Sequence, residues 1–587
     1  MNRVRTLVAL VAFSLLAVTA CDGCNGCSSD DRLEADADER VTELASRLPA
    51  TADAAVVIPE LRDLPEFLDY VFARAEHFDP DARATENRVN QLMGLRISDI
   101  ESWDAAGFAP DSSMIFSTVG SRPVMAGFID DKNAFETHFI GRMRNQTDTG
   151  TPIQSNTIGD RDFRESGNPP MSDMAWYYDD SIVVLIFPPL QDLEVFSSGS
   201  AASVANKLGS VDDDTSLAST DAFTEFRRGV GDHYPVSLYL HADHYFDRPE
   251  VNDDNFGMGG LGAIMEGLLE WSRSNAEGTG IGFRAGDQRL ELRAFAGGEE
   301  ELIEEARSAY ATDDETDWGG MLTENTTLAA RTSFDLSSVV DSYLDRLSDE
   351  ERQRAERELS LLGQDYGLDF NEDVVGALSG QSLLVFYGVG GDIDSAVQPF
   401  MQGRIFNGLR IAMANSGLLF NLHFSDAEKM ERLFDAATEA RGELFERRAV
   451  VVDGEPVEDI EVFEPGDLSL MPLRLFTSDH SATFATSGIG ESAAYQYLTD
   501  GREEARLADV EGLSLGNEFA GPDGLNGLYV NFGNIRSNMR NIPFAAGYAN
   551  AIRMVHELLI TAGVDDNGFY LSAQLDFTDS LETDGDQ

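Results

Sequence analysis

The chain of 587 residues carries 104 acidic and 43 basic side chains, so its formal net charge is −61. A surface this negative repels phosphate groups, which argues against nucleic acid as a partner. With 42% apolar residues the chain can bury more than one hydrophobic core. Its length favours about two to four domains.

The amino-terminal segment, residues 1–20, predicts an export signal. Two arginines precede an apolar stretch that is shorter than a membrane span. Residues 18–21 then read Val-Thr-Ala-Cys, which resembles the lipobox of bacterial lipoproteins. The resemblance implies cleavage between Ala20 and Cys21, diacylglycerol on the Cys21 sulfur and acylation of the new amino terminus.

Several acyl chains on one residue anchor a protein stably, so we expect this lipid to hold the chain on the extracytoplasmic side of the cell envelope. The inner and the outer membrane both remain open. The alternative is an ordinary signal peptide followed by a free cysteine. Apart from the covalent lipid on Cys21, the sequence predicts no cofactor.

All three cysteines lie at this junction, at positions 21, 24 and 27. A metal or cluster site would need a fourth ligand, and Cys21 is expected to carry the lipid. A disulfide between Cys24 and Cys27, or two free thiols, is therefore the favoured interpretation. Residues 21–35 are rich in Gly, Ser, Asp and Glu, and this composition predicts a flexible acidic tether.

Residues 36–313 predict a first unit that mixes strands with helices. In chain order the pattern gives a strand at 54–59, a helix at 64–77, strands around 114–116 and 124–128, and a helix that begins at Asp130. Turn residues typical of hairpins, such as Asp179-Asp180-Ser181, separate strands in which apolar and polar residues alternate. Strands in hairpins with interspersed amphipathic helices predict an α+β fold with antiparallel sheets, not a doubly wound parallel fold.

A cluster of potential metal ligands follows a later strand of this unit. His241, Asp243 and His244 offer imidazole and carboxylate groups of the kind that bind zinc. On an extended strand His241 and Asp243 point one way and His244 the other, so a single site needs a bend. Ordinary structural side chains are the favoured interpretation, and a metal site is the alternative.

Residues 257–262 read Gly-Met-Gly-Gly-Leu-Gly and fit a phosphate-binding glycine pattern. That pattern binds dinucleotides when a strand leads directly into it within a βαβ unit, and the predicted elements provide neither. The negative charge of the chain also opposes a dinucleotide. We interpret the segment as a glycine-rich entry to a helix.

Residues 320–580 predict a second copy of the same unit, followed by an acidic tail at 581–587. The second block repeats the order of the first, with strands at 328–334, 383–386 and 418–424, a helix at 336–347 and a helix that begins at Asp426. Three dipeptides correspond, namely Gly94-Leu95 with Gly367-Leu368, Leu238-Tyr239 with Leu528-Tyr529, and Gly282-Phe283 with Gly568-Phe569. The sequence therefore predicts two tandem copies of one α+β unit.

Two short segments, Gly367-Leu368-Asp369 and Leu528-Tyr529-Val530-Asn531, resemble a family of bacterial envelope proteins of unknown function. The resemblance extends over most of residues 50–580. It implies a strand-and-helix opening, a hairpin and a later strand. That family has no known active site, so the resemblance transfers no catalytic residue.

Residues 512–516 read Gly-Leu-Ser-Leu-Gly and fit the nucleophile elbow of serine hydrolases. In that elbow a buried strand leads into the serine, whereas here a charged stretch precedes Ser514. His556 is the one histidine that follows Ser514 in the chain. We interpret the motif as a chance match.

Two classes of function remain. The leading hypothesis is a noncatalytic, lipid-anchored envelope protein that serves as a structural or interaction module for an unknown envelope protein. The alternative is a carrier of an apolar ligand, which the 35 phenylalanines and the sheet faces favour. A metal-dependent hydrolase that uses His241, Asp243 and His244 is a third, less favoured hypothesis.

Overall fold

The computed structural model of the chain describes residues 31–577 apart from internal gaps. The gaps of five or more residues lie at 142–152, 188–200, 242–277, 311–320, 345–351, 358–367, 390–415, 466–472, 487–493, 495–505, 521–525 and 541–552, and shorter gaps occur elsewhere. The chain divides into two compact units. Unit 1 comprises Met1–Ile303 and Asp565–Ser572, and unit 2 comprises Glu304–Val564 and Ala573–Gln587.

Unit 1 contains ten described strands. They are β1 (Ala54–Ile58), β2 (Met114–Val119), β3 (Arg122–Phe128), β4 (Ile153–Ile158), β5 (Arg161–Asn168), β6 (Met171–Asp179), β7 (Ile182–Ile186), β8 (Val236–Leu240), β9 (Thr279–Gly286) and β10 (Arg289–Ala296). The described strands pair in the order β10–β9–β8–β1–β2–β3–β7–β6–β5–β4, and each of these pairings is antiparallel. The predicted antiparallel architecture is therefore present in this unit.

Helices connect these strands and cover the sheet. Up to residue 310 they are α1 (Asp31–Ala45), α2 (Asp63–Phe78), α3 (Ala82–Met93), α4 (Ile100–Ala105), α5 (Lys132–Ala134), α6 (Ala201–Gly209), α7 (Asp221–Val230) and α8 (Glu300–Tyr310). The α5 helix continues as a π-helix over Phe135–Ile140. The α1 helix begins at Asp31, within the segment predicted as a tether.

One face of the unit 1 sheet packs against α1, α6 and α7 in a single apolar cluster. The strands contribute Ala55, Val57, Ile115, Ala126, Val184 and Tyr239, and the helices contribute Val41, Leu44, Val204, Leu208, Phe223 and Phe226. Full burial of each large apolar side chain contributes about 1.5–3 kcal/mol, so this cluster is a main source of the unit's stability.

Unit 2 contains a second antiparallel sheet. Its strands are β11 (Leu328–Thr332), β12 (Leu378–Val389), β13 (Ser416–Phe424), β14 (Phe445–Val452), β15 (Glu455–Pro465), β16 (Leu473–Ser478), β17 (Ser481–Thr486), β18 (Gly527–Asn531) and β19 (Val555–Val564). These strands pair in the order β19–β18–β11–β12–β13–β17–β16–β15–β14. A further strand, β20 (Phe569–Phe577), pairs with β19.

Three described helices pack on the unit 2 sheet or at its edge, namely α9 (Ala427–Arg441), α10 (Ser514–Ala520) and α11 (Phe532–Arg540). On one face Leu515 and Phe519 of α10 join Ala329 and Tyr529 in an apolar cluster. On the other face Met430 of α9 packs with strand residues. Strand alternation explains this division, because successive side chains point to opposite faces of a sheet.

The structure confirms the predicted α+β class with antiparallel sheets. Predicted hairpin turns also join strands, for example Asp179-Asp180-Ser181 between β6 and β7. The proposed domain boundaries and the relation between the two units stay predictions at this point.

Candidate functional site

The serine of the Gly-Leu-Ser-Leu-Gly motif lies at the start of α10 in unit 2. Gly512 takes a left-handed conformation with φ of 85°, which glycine adopts without steric cost. The Ser514 hydroxyl donates a hydrogen bond to Oδ2 of Asp576 at 2.5 Å. Because a serine hydroxyl has one proton, this bond commits the proton to a carboxylate.

The backbone amides that follow Ser514 bind a buried carboxylate of the chain itself. Leu515 N donates to Oε2 of Glu557 at 3.3 Å, and Gly516 N donates to Oε1 at 3.0 Å. The exposed fraction of Glu557 is 0%. In a serine hydrolase the first of these amides donates to the oxyanion of the transition state. Here Glu557 accepts the hydrogen bond from that amide instead.

Tyr529 completes the hydrogen bonding of the Glu557 side chain. The Tyr529 hydroxyl, on β18, donates to Oε1 of Glu557 at 2.7 Å. Burial raises the pKa of Glu557, and the hydrogen bonds from Tyr529 and the two amides oppose that rise. Burial, followed by the charge of Glu557, raises the pKa of Tyr529, which keeps its hydroxyl protonated as a donor.

His556 precedes Glu557 on β19 and therefore points to the opposite face of the strand. Burial, followed by the positive charge of Arg536, lowers the pKa of His556, and the charge of Asp576 acts in the other direction. The imidazole is thus neutral at pH 7. Since an acid accepts directly from Ser514, the side chains are not arranged in the order serine, histidine, acid that a triad requires.

The predicted metal ligands fall partly outside the described residues. His241 follows β8, and its ring lies edge-on to Tyr239 with centroids 6.5 Å apart. Asp243 and His244 lie in the gap at 242–277, outside the described residues. Within the part of the chain that the structure describes, no group of three or more His, Cys, Asp or Glu side chains is placed to hold a metal ion.

The side chain of Asn531, the last residue of β18, has a structural role. The Asn531 Oδ1 atom accepts the backbone N–H of Asn534 at 2.9 Å, which caps the first turn of α11. The Asn534 amide group in turn donates to the carbonyl oxygens of Glu324 and Thr326 at 3.0 and 2.9 Å. These contacts join α11 to the segment before β11.

Several predicted features lie outside the described residues. They are Ala20, Cys21, Cys24 and Cys27 of the leader and tether, and the glycine segment 257–262. Among the described helices, none combines the length and the apolar character that a bilayer crossing requires.

The phenylalanines of unit 1 that the structure describes pack largely on one another. Phe108 contacts Trp103, Phe135 and Phe139 edge-to-face, with ring centroids 5.2–5.4 Å apart. Such aromatic pairs stabilise a core beyond their buried area. This part of the aromatic content therefore has a structural explanation.

Sequence patterns pointed to Ser514 and His556, and to Tyr529 only as part of a repeated dipeptide, whereas Glu557 and Asp576 stood in no motif. A usable signal was present for Glu557, because the alternation along β19 places it on the same face as the buried Leu559. A carboxyl group at a core position needs hydrogen-bond donors around it, so the alternation could have identified Glu557 as a candidate site residue. No known family model, no curated protein and no solved structure matches this chain.

Proposed function

We propose that the chain is a noncatalytic, lipid-anchored protein of the bacterial cell envelope whose two units act as a structural or interaction module. The lipobox-like residues 18–21 support the anchor, because they combine an aliphatic residue, small residues and Cys21 in the required order. The negative charge supports a partner other than nucleic acid.

The contact that supports a noncatalytic role most directly is the one between Glu557 and the amides of Leu515 and Gly516. A developing oxyanion would have to displace a carboxylate that is fully buried and held by three hydrogen bonds. Two negative groups cannot share these donors in a low-dielectric site without a large electrostatic cost. The geometry therefore favours a structural use of the serine motif.

We further propose that the two units are copies of one ancestral unit. Nine strands of unit 2 pair in the same order as nine strands of unit 1, with β11 corresponding to β1 and β18 to β8. The Leu-Tyr dipeptides fall in the same register, since Tyr239 pairs with Ala55 and Tyr529 pairs with Ala329.

Smaller details also support duplication. An isolated bridge joins Pro49 to Ser216 in unit 1, and another joins Thr323 to Arg506 in unit 2. Each bridge precedes a short 3-10 turn, at Leu217–Ser219 and Leu507–Asp509 respectively. One predicted correspondence, Gly282-Phe283 with Gly568-Phe569, does not fit. Gly282-Phe283 lies in β9, whose counterpart in the strand order of unit 2 is β19, whereas Phe569 begins β20.

A fluorophosphonate probe tests the noncatalytic proposal. We expect the purified full chain to show no covalent labelling above the level of the Ser514→Ala variant, because the hydroxyl is committed to Asp576 and the amides to Glu557. A known serine hydrolase in the same reaction serves as the positive control. Labelling of the wild-type chain that Ser514→Ala abolishes would overturn the proposal.

Metabolic labelling with an alkyne fatty acid tests the anchor. In an expressing bacterium we expect the wild-type chain to carry the label and to sediment with membranes, whereas Cys21→Ala should lose both properties. Cys24→Ala is the matched control and should keep the label. Retention of the label on the Cys21→Ala chain would contradict lipidation at this position.

A further inference from the structure

The β4 strand lies at one end of the unit 1 sheet and leaves one of its edges open. Among the described strands, β4 pairs with β5 and with no other. The side chains of residues 153–157 are all exposed, so both faces of the strand are open to solvent as well. An edge strand of this kind presents a row of backbone N–H and C=O groups with which another chain can pair.

The turn between β4 and β5 determines which backbone groups face this edge. The loop 159–160 has two residues, because Ile158 pairs with Arg161, and its glycine has a φ of 62° that suits a type II′ turn. The residues that flank such a loop form a hydrogen-bonded pair, and the two kinds of pair then alternate along the ladder. The residues whose N–H and C=O groups point away from β5 are therefore Ile153, Ser155 and Thr157.

The hairpin that carries this edge is held firmly by the rest of unit 1. Arg161 donates to the Tyr177 hydroxyl at 2.7 Å and to the carbonyl oxygens of Leu208 and Val211, at the end of α6, at 2.5 and 3.1 Å. Phe163 of β5 is fully buried in the apolar cluster of the unit. A strand that pairs with β4 thus meets an edge that is already ordered, which lowers the entropic cost of association.

The β4 edge lacks the features by which proteins usually prevent pairing between sheets, namely charges, prolines and bulges. Its sequence, Ile-Gln-Ser-Asn-Thr-Ile, contains no charge and no proline, and its register with β5 is regular. The β14 strand stands at the same end of the unit 2 strand order and differs in both respects. It carries Glu446, Arg447 and Arg448, and its register with β15 shifts between Ala449 and Val451. Unit 2 therefore protects the edge that unit 1 leaves available.

We propose that β4 is a dimerisation edge, at which it pairs antiparallel with β4 of a second copy of this chain about a two-fold axis through Ser155. In this register Ser155 faces Ser155 of the second copy, and Ile153 faces Thr157 of the second copy. Every outward N–H and C=O group of the two strands then has a partner. The axis is perpendicular to the sheet, so the two unit 1 sheets join into one continuous sheet through an isologous contact.

The charge of the chain favours a second copy at this edge. Two chains that each carry a net charge of −61 repel each other, and β4 lets them meet without any charged side chains in the pairing strands. The register also places Gln154 opposite Asn156 of the second copy, so that two neutral amides meet and can bond to each other.

This inference deepens the proposed interaction module by naming its partner, and it rests on that proposal for the local concentration that a lipid anchor provides. A contact through one short strand buries little surface, and tethering of both copies to the same membrane makes such a contact effective. The pairing itself requires no lipid, so it can be tested on the purified chain.

Oxidative cross-linking of the purified full chain tests the register. Ser155→Cys, in a Cys24→Ala and Cys27→Ala background, should form a disulfide-linked dimer, because the Cα atoms of a hydrogen-bonded pair lie about 5.5 Å apart, within the span of a disulfide. Asp162→Cys in the same background is the matched control. Asp162 is also exposed, but at least three strand spacings, about 14 Å, separate it from its copy. Equal cross-linking of the two variants, or none at Ser155→Cys, would refute the dimer.

Two further readouts separate this proposal from the others. Fatty-acid labelling of the same sample reports the anchor, so a labelled chain without the cross-link contradicts the dimer alone, and an unlabelled chain with the cross-link contradicts the anchor alone. In membranes of the expressing bacterium, a Ser155→Cys adduct with a different protein and no self-dimer would assign the edge to another partner and overturn the proposal.

Sedimentation equilibrium at high ionic strength, which screens the repulsion between copies, provides a second test. Ser155→Asp places two carboxylates opposite each other at the axis and should raise the dimer dissociation constant about tenfold. Within one chain the new carboxylate faces Arg164 of β5, so the hairpin is preserved. Ser155→Thr is the neutral control and should dimerise like the wild type. A dissociation constant that Ser155→Asp leaves unchanged would contradict pairing through this residue.

Discussion

Replacement of Glu557 by alanine is expected to lower the free energy of unfolding of unit 2 by about 3 kcal/mol. The change leaves the amides of Leu515 and Gly516 and the hydroxyl of Tyr529 without their acceptor in a fully buried place. Each unpaired donor costs about 1–3 kcal/mol, and removal of a buried charge offsets part of that loss. Urea unfolding monitored by circular dichroism measures the difference.

Two milder variants separate the hydrogen bonds of this cluster. Tyr529→Phe removes one donor and should cost about 1 kcal/mol. Glu557→Gln keeps an oxygen for Gly516 and Tyr529 but turns an NH₂ group toward the amide of Leu515, so we expect an intermediate loss. A Glu557→Ala chain as stable as the wild type would show that the cluster does not hold α10 on the sheet.

The raised pKa of Glu557 also predicts the direction of a pH effect. In the folded chain the Glu557 carboxyl group stays protonated to higher pH than in the unfolded chain, where its pKa has the ordinary value of 4.5. The contribution of this group is therefore fully present below pH 4.5 and is lost as the pH rises through the folded pKa. Glu557→Gln should remove this component, so the stability difference between wild type and Glu557→Gln should change across that window.

Local patterns were sufficient to predict the α+β class and many hairpins. Alternation of apolar and polar residues and turn residues such as Asp179-Asp180 act over a few positions, and the structure follows them. The order of the strands could not be predicted in the same way. The β3 strand pairs with β7 across the intervening β4–β6 segment, and β1 pairs with β8, so both contacts join distant parts of the chain.

Local sequence patterns were also insufficient to predict the candidate site. A motif search found Ser514, but the partner that decides its chemistry, Glu557, lies 43 positions further along in a different strand. Residues that act through non-local pairing carry little local signal, so sequence patterns alone did not single them out.

Replacement of Gly280 by alanine is expected to destabilise unit 1 by about 3 kcal/mol. Gly280 lies in β9 directly beneath the ring of Phe226 on α7, and an added Cβ atom would lie 2.2 Å from that ring and 2.6 Å from the carbonyl oxygen of Leu238. Phe226 is fully buried and has no room to withdraw. Overpacking of this kind forces the helix away from the strand, at a cost of about 1–3 kcal/mol or more.

Gly286 in the same strand provides the matched control, because a Cβ atom added there would meet no atom within 4 Å. Gly286→Ala should therefore change the free energy of unfolding by no more than about 0.5 kcal/mol. Thermal unfolding of both variants beside the wild-type chain measures the contrast. Equal stability of the two variants would mean that α7 does not rest on β9 as closely as described, since the two substitutions differ only in the space that each Cβ atom finds.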